Sequence, residues 1–413
     1  MPNISKPSTK ADRSFLFTAD QLNWLSKAEK FADSIPLADI LKSDRENEFR
    51  RDLFEAACQE GFGALPFAKT YGGFGGDYAS FCLVNEEFAR RCLPVMSSIG
   101  VHVLCQEPIY RYGSEEQKNR YLPKAANGEY LAAFALTEAG AGSDTKALAT
   151  TARLVGNDYI LNGSKVFITS GGAADFYIVM AKLIDDQEFK NVDGKDSITA
   201  FIVERNFLGF SLGQKFDMLG MRGYATCEIV FNDCYVPKEN LLGIHGQGRK
   251  VALSSLAKGR VTIAAQATGW AQGALEALIG CLNGKNFSVL DFQNSVVSSS
   301  SAVEQEHFQF EATSTEYILG EMVVNIESAR ALTYQAASSI DRGDNDVTLA
   351  SMAKVQATDV AMNVSTKALA MAGFAGLQPE LLLERYFRDS KAGQIYEGTN
   401  QIQRLLIARN LLR

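Results

Sequence analysis

The amino-acid sequence predicts an α+β chain laid out as helices, then strands, then helices. Two observations carry this expectation. Apolar residues recur at helical spacing near both ends of the chain. Between them run short segments rich in Val, Ile, Phe and Thr, joined by turn residues and not by helices. The texture places an N-terminal helical part over residues 1–131, a middle β-part over 132–243 and a C-terminal helical part over 244–413. A chain of 413 residues is long for one core, which agrees with several packed units.

The elements follow in order. In residues 46–61, Phe49, Leu53, Ala56 and Ala57 share a helical face, and Gly61 supplies a stop. Residues 77–91 repeat the pattern with Tyr78, Phe81, Cys82 and Phe88, and residues 115–121 read as a short charged helix broken at Pro123. Strands are expected over residues 130–138, 150–154, 159–161, 165–169, 176–184, 197–204 and 227–231. Gly156-Asn157-Asp158 and Asn162-Gly163 serve as turns. Strands without intervening helices predict an antiparallel sheet, which ends near Val236-Pro237. Beyond Gly243, Met322, Ile326, Ala329, Leu332, Ala336 and Ile340 step by three or four along one helical face. Residues 294–315, with Ser298-Ser299-Ser300-Ser301 and several glutamates, interrupt that texture and read as a loop or insert with little to bury.

Composition excludes several function classes. Hydrophobic residues make up 46% and charged residues 22%, ordinary for a soluble globular protein. No apolar run approaches the roughly 18 residues of a membrane span. The polar N-terminus lacks the apolar core of a signal peptide, and its few basic residues make a poor presequence, so the expected compartment is cytoplasmic. A net charge of −7 argues against nucleic-acid binding. Seven cysteines without C-x-x-C spacing and three scattered histidines argue against a metal site and fit a reducing compartment.

Three segments carry chemistry. Leu136-Thr137-Glu138-Ala139-Gly140-Ala141-Gly142-Ser143-Asp144 follows a strand, and its glycines let backbone N–H groups approach a ligand while Thr137 and Ser143 add hydroxyls. It is not a dinucleotide fingerprint, because Thr145 stands where a third glycine belongs and strand, not helix, follows. Lys165-Val166-Phe167-Ile168-Thr169 sets an aromatic ring beside a hydroxyl at a strand end, where the pair could flank a flat conjugated ring. In Tyr396-Glu397-Gly398-Thr399-Asn400-Gln401, Thr399 is a plausible N-cap, and Glu397 lies in the connection before the helix. Read singly, each is more simply a turn, a core aromatic or a surface glutamate.

Together with Leu219-Gly220-Met221-Arg222-Gly223, Gly259-Arg260, Tyr71-Gly72-Gly73 and Gly113-Ser114-Glu115-Glu116-Gln117-Lys118, these motifs resemble the acyl-CoA dehydrogenase family in order and spacing, from about residue 18 to the end. The resemblance implies an N-terminal helical domain, a middle β-domain and a C-terminal four-helix bundle, assembled as a homotetramer (or homodimer). It implies FAD as cofactor and an acyl-CoA or acyl-carrier-protein thioester as substrate, with an electron-transfer flavoprotein or oxygen as acceptor. By similarity, Phe134, Leu136, Thr137, Gly142, Ser143, Phe167, Ile168, Thr169, Phe287, Gly373, Thr399 and Gln401 hold FAD. Ser143, Arg260 and Gly398 face the substrate, and Glu397 is the base. Some relatives place the base just before the Arg of Gly-Arg; here that position is Gly259, which cannot act.

Three positions depart from the family pattern. Gly284 and Leu369 stand where Arg and Gln are usual in the hold on a neighbouring subunit's FAD, and Ala257 replaces an Asp that often meets the pantetheine arm. Alternative functions implied by the same resemblance are a flavin monooxygenase and a non-catalytic, nucleic-acid-associated relative. The Tyr396–Thr399 motif and the lack of a basic excess in residues 244–413 argue against them.

Overall fold

The computed structural model describes residues 16–184, 198–283, 312–344 and 346–412. Six helices open the chain: α1 (Ala19–Asp33), α2 (Leu37–Glu46), α3 (Arg51–Gln59), α4 (Tyr78–Arg90), α5 (Met96–Tyr112) and α6 (Glu115–Ala126). The helix expected over residues 46–61 begins only at Arg51. Asn47 takes a left-handed φ of 50° at the end of α2, and its side chain accepts from Gly223 N (2.9 Å) and donates to Phe216 O (3.3 Å). Pro123 does not break α6. The carbonyl its missing N–H leaves unpaired belongs to Asn119, which is exposed, so solvent can satisfy it.

The middle part is one eight-stranded sheet: β1 (Ala132–Ala135), β2 (Thr151–Val155), β3 (Asp158–Ile168), β4 (Phe176–Ile184), β5 (Ile198–Glu204), β6 (Phe210–Lys215), β7 (Cys227–Pro237) and β8 (Leu241–Leu242). The order is β6-β7-β3-β2-β4-β5-β8, with β1 also on β4. The sheet is mixed: β4 runs parallel to both β1 and β2, and the other pairings are antiparallel. The register explains why. β1 pairs with Phe176 to Val179 and β2 with Lys182 to Ile184, so the two lie end to end along one edge of β4. Residues 136–150 leave this line and return to it.

Asn162-Gly163 is not a turn. It lies inside β3 at a register shift against β7, with Gly163 at φ 140°, and a Cβ there would sit 2.7 Å from Thr150 Oγ1. β6 escaped sequence reading because it is a largely exposed edge strand with no sustained alternation.

The C-terminal part comprises α7 (Gly248–Leu282), α8 (Ala312–Asp341), α9 (Val347–Ala372), α10 (Leu383–Gly393) and α11 (Asn400–Leu411). α8 buries Met322, Ile326, Ala329 and Ala336 as its periodicity predicts. Its start at Ala312 makes the last residues of the expected 294–315 loop helical, and the rest of that segment lies outside the described residues. α7 packs on α9, α8, α4 and α5 and so joins the bundle to the N-terminal helices.

Among the described residues, Val347–Leu377 is the one helical stretch long and apolar enough, by length and composition, to cross a membrane; sequence reading had found none. Part of its apolar run faces the core, and part, including Val347, Met352, Phe374 and Leu377, is exposed. The helix packs against α7, α8, α10 and α11, and it buries Lys354, Ser351, Thr358 and Ser365.

Candidate active site

α10 stops at Gly393, and Thr399 caps α11 by accepting from Ile402 N at 3.3 Å. Between them Glu397 (φ 52°) and Gly398 (φ 92°) are both left-handed, a conformation that costs a non-glycine residue about 1–3 kcal/mol. The fold holds this loop by its carbonyls. Lys354 Nζ donates to Gly398 O (3.0 Å) and Asn400 Oδ1 (2.8 Å), and Gln403 Nε2 donates to Gly398 O (3.1 Å) and Glu397 O (3.3 Å).

So held, the Glu397 side chain runs against α7 at Gly259. A Cβ on Gly259 would lie 2.1 Å from Glu397 Oε2, so only glycine leaves room for the carboxyl. Among the described residues Oε2 is buried and has no hydrogen-bond partner, although Glu397 as a residue is half-buried. Burial pushes the Glu397 carboxyl up to about 7, against the opposing pull of Arg260 and Lys354. The neighbours coupled to it, Tyr78, Tyr396 and Cys105, are pushed upward by burial and stay neutral.

A second cluster lies on the middle sheet. Phe134 is in β1, and the 136–150 excursion begins with Leu136 and Thr137. Val166 N donates to Thr137 O at 2.9 Å, and Glu138 and Ala141 exchange two backbone bonds of 3.1 Å. Beneath the excursion, the Glu138 carboxylate accepts from Ala149 N (2.6 Å), Thr150 N (3.0 Å) and Lys165 Nζ (2.6 Å), and Lys165 also donates to Leu136 O (3.2 Å). Gly142 and Ser143 are exposed. Phe167 is 55% exposed, takes φ 57° and packs on Phe216 with ring centroids 4.6 Å apart. Beside it, Ile168 is buried and Thr169 half-buried. A bulky ring held out to solvent in a strained backbone fits a flat partner lying on it.

The excursion faces α7 across a crevice lined by Leu136, Thr145 and Leu148 on one side and Arg249, Ala252 and Leu253 on the other. Gly259 stands two turns along α7 from Ala252, about 10 Å away.

The description "Acyl-CoA dehydrogenase, N-terminal domain" matches residues 18–129, "Acyl-CoA dehydrogenase, middle domain" residues 133–234 and "Acyl-CoA dehydrogenase, C-terminal domain" residues 301–412. An acyl-CoA dehydrogenase of Bacillus subtilis (strain 168) is 38% identical over 398 residues, spanning 96% of this chain and 98% of the relative. Butyryl-CoA dehydrogenase of Megasphaera elsdenii superposes with a TM-score of 0.86 at 36% identity, covering 96% of this chain and 99% of the other. A chain solved in a study of the electron transferring flavoprotein of Acidaminococcus fermentans gives the same TM-score and coverage at 38% identity. This chain belongs to the acyl-CoA dehydrogenase family.

As a member of that family it is an FAD-dependent oxidoreductase that dehydrogenates an acyl thioester between Cα and Cβ. The residues present fit the cofactor: an exposed, strained Phe167 offers a ring face, and the Thr137–Ser143 loop presents backbone and hydroxyl groups beside it. The expected residues fall into three places. Glu397, Gly398 and Arg260 meet at the loop between α10 and α11, with Thr399 and Gln401 at the start of the adjoining α11. Phe134, Leu136, Thr137, Gly142, Ser143, Phe167, Ile168 and Thr169 lie on β1, β3 and the excursion. Gly373 stands at the exposed end of α9. Phe287 and Gly284 are outside the described residues.

Sequence reading passed over Lys354, Gln403 and the Glu138–Lys165 pair. Each had a faint signal: Lys354 stands between Met352-Ala353 and Val355 in a helical run, and Glu138 and Lys165 sit inside the motifs themselves.

Proposed function

We propose that Glu397 is the base that takes the α-proton of an acyl-CoA. The supporting observation is its carboxyl, buried against Gly259 with Oε2 unpartnered and poised by burial near neutral pH. Arg260, buried with Nε lacking a partner among the described residues, lies beside Glu397 and offsets negative charge as the proton moves. Thr137, Ser143, Phe167 and Thr169 hold the flavin and orient the thioester beside it. Bound FAD supplies the acceptor for the β-hydride. An electron-transfer flavoprotein as the next acceptor is supported by the Acidaminococcus fermentans neighbour, with oxygen as the alternative. The substitutions at Ala257 and Gly284 favour a second reading, an acyl group tethered to a carrier protein in place of CoA.

A homotetramer is supported by the apolar surface of the bundle, where Phe374 is 82% and Leu412 88% exposed near Gly373 and the C-terminus. A homodimer is the alternative that light scattering separates. The decisive test is anaerobic bleaching of the flavin by a panel of acyl-CoA and acyl-carrier thioesters, with wild type and Glu397→Gln. The variant should keep its FAD and lose about 10³-fold or more in the rate of reduction. Reduction near the wild-type rate would remove Glu397 from the role.

A further inference from the structure

We infer that Lys354 is a positioning residue that sets both the geometry and the ionisation of the base, an inference that rests on Glu397 acting as that base. The geometry comes first. Lys354 lies on α9, and its fully buried ammonium reaches the loop between α10 and α11 to bond Gly398 O and Asn400 Oδ1. Asn400 is fixed in turn, its Nδ2 donating to Thr358 Oγ1 (2.9 Å) and Asp359 Oδ1 (2.8 Å). Asp359 also accepts from Gln394 Nε2 (2.7 Å) and pairs with Arg404. One cation thus ties the strained Glu397-Gly398 turn to a bonded lattice on α9 and α11. Without it, nothing but Gln403 holds the Gly398 carbonyl among the described residues.

The electrostatic side follows from what Lys354 does not touch. Its two hydrogen-bond partners are a carbonyl and an amide, and no carboxylate lies in salt-bridge range of it among the described residues. Its charge is therefore not neutralised at contact, and it favours the ionised form of Glu397. The groups facing Glu397 are Arg260 from α7, Lys354 from α9, Tyr78 from α4, Cys105 from α5 and Tyr396 from its own loop; of these only Arg260 and Lys354 carry charge. Asp359 and Arg404 act on Lys354 in opposite directions, Asp359 raising and Arg404 lowering its pKa. Lys354 is thus, after Arg260, the second of the two positive charges that keep a buried carboxyl usable as a base.

The test separates charge from contact. Lys354→Met removes both, Lys354→Gln removes the charge and keeps an N–H donor, and Lys354→Arg keeps the charge. The rate of anaerobic flavin reduction is followed against pH in each variant and in Glu397→Gln. As an independent readout, the Glu397 carboxyl stretch is titrated by infrared difference against Glu397→Gln. Loss of the cation should move the rising limb of the rate profile, and the infrared midpoint, upward by roughly one unit in both Met and Gln variants. At pH 7, starting from a midpoint of about 7, that corresponds to about a fivefold loss of rate. The Arg variant should leave the midpoint in place, and the Met variant alone should lose rate on the high-pH plateau. An unmoved midpoint in Lys354→Met and Lys354→Gln, with Glu397→Gln inactive, overturns this inference and leaves the base assignment intact. Wild-type reduction by Glu397→Gln overturns the base assignment, and this inference with it.

Discussion

Two loops carry most of the residues proposed to act, and each is held from beneath by a buried lysine. Under the 136–150 excursion, Lys165 bonds Leu136 O and the Glu138 carboxylate; under the loop between α10 and α11, Lys354 bonds Gly398 O and the Asn400 amide. Burial pulls both ammonium groups down to about 8. The partners make the difference. Lys165 is neutralised on the spot by Glu138, so its charge acts as a structural rivet. Lys354 meets only neutral acceptors, so its field reaches Glu397. The same device serves order in one place and reactivity in the other, according to whether a carboxylate or an amide receives it.

That contrast can be broken by measurement. The largest effect is expected from Lys165→Met, which leaves Glu138 as an uncompensated buried charge. It should cost about 3–5 kcal/mol of stability, read as the urea midpoint, with parallel loss of FAD on gel filtration. The pH midpoint of flavin reduction in the protein that retains FAD should stay at the wild-type value. A shifted midpoint there would erase the distinction drawn between the two lysines.

Gly259→Ala comes next. Its Cβ would overlap the Glu397 carboxyl, so the base must swing away while α7, a helix that favours alanine, keeps its stability. Misplacement on this scale predicts about a 100-fold fall in the rate of reduction, with a melting temperature within a few degrees of wild type. Unchanged reduction would mean that the carboxyl works from a different position.

The smallest effect belongs to the sheet side. Phe167→Ala removes a ring that is already half in solvent and backbone-strained, so stability should change little. FAD affinity, measured by fluorescence titration of the apoprotein, should weaken about tenfold, the scale of one aromatic contact. Equal affinity would place the flavin away from this ring.

By itself the sequence determined the succession of helices, strands and helices, because the 3.6 and 2.0 periodicities are local properties of each segment. It also marked the short motifs that could carry chemistry, through their joint order and spacing and not through any one of them alone. It misread Asn162-Gly163 as a turn because the dipeptide is compatible with either turn or bulge, and only pairing with β7 and the nearness of Thr150 select the bulge. It could not show that β1 and β2 are one interrupted line, a fact that exists only against β4. Nor could it join Gly259, Lys354 and Glu397, which stand on separate elements of the C-terminal part. Burial and charge coupling act through space and not along the chain. The tertiary structure therefore decided that a loop glutamate has a buried carboxyl, and that a lysine on another helix holds its loop and lends it positive charge.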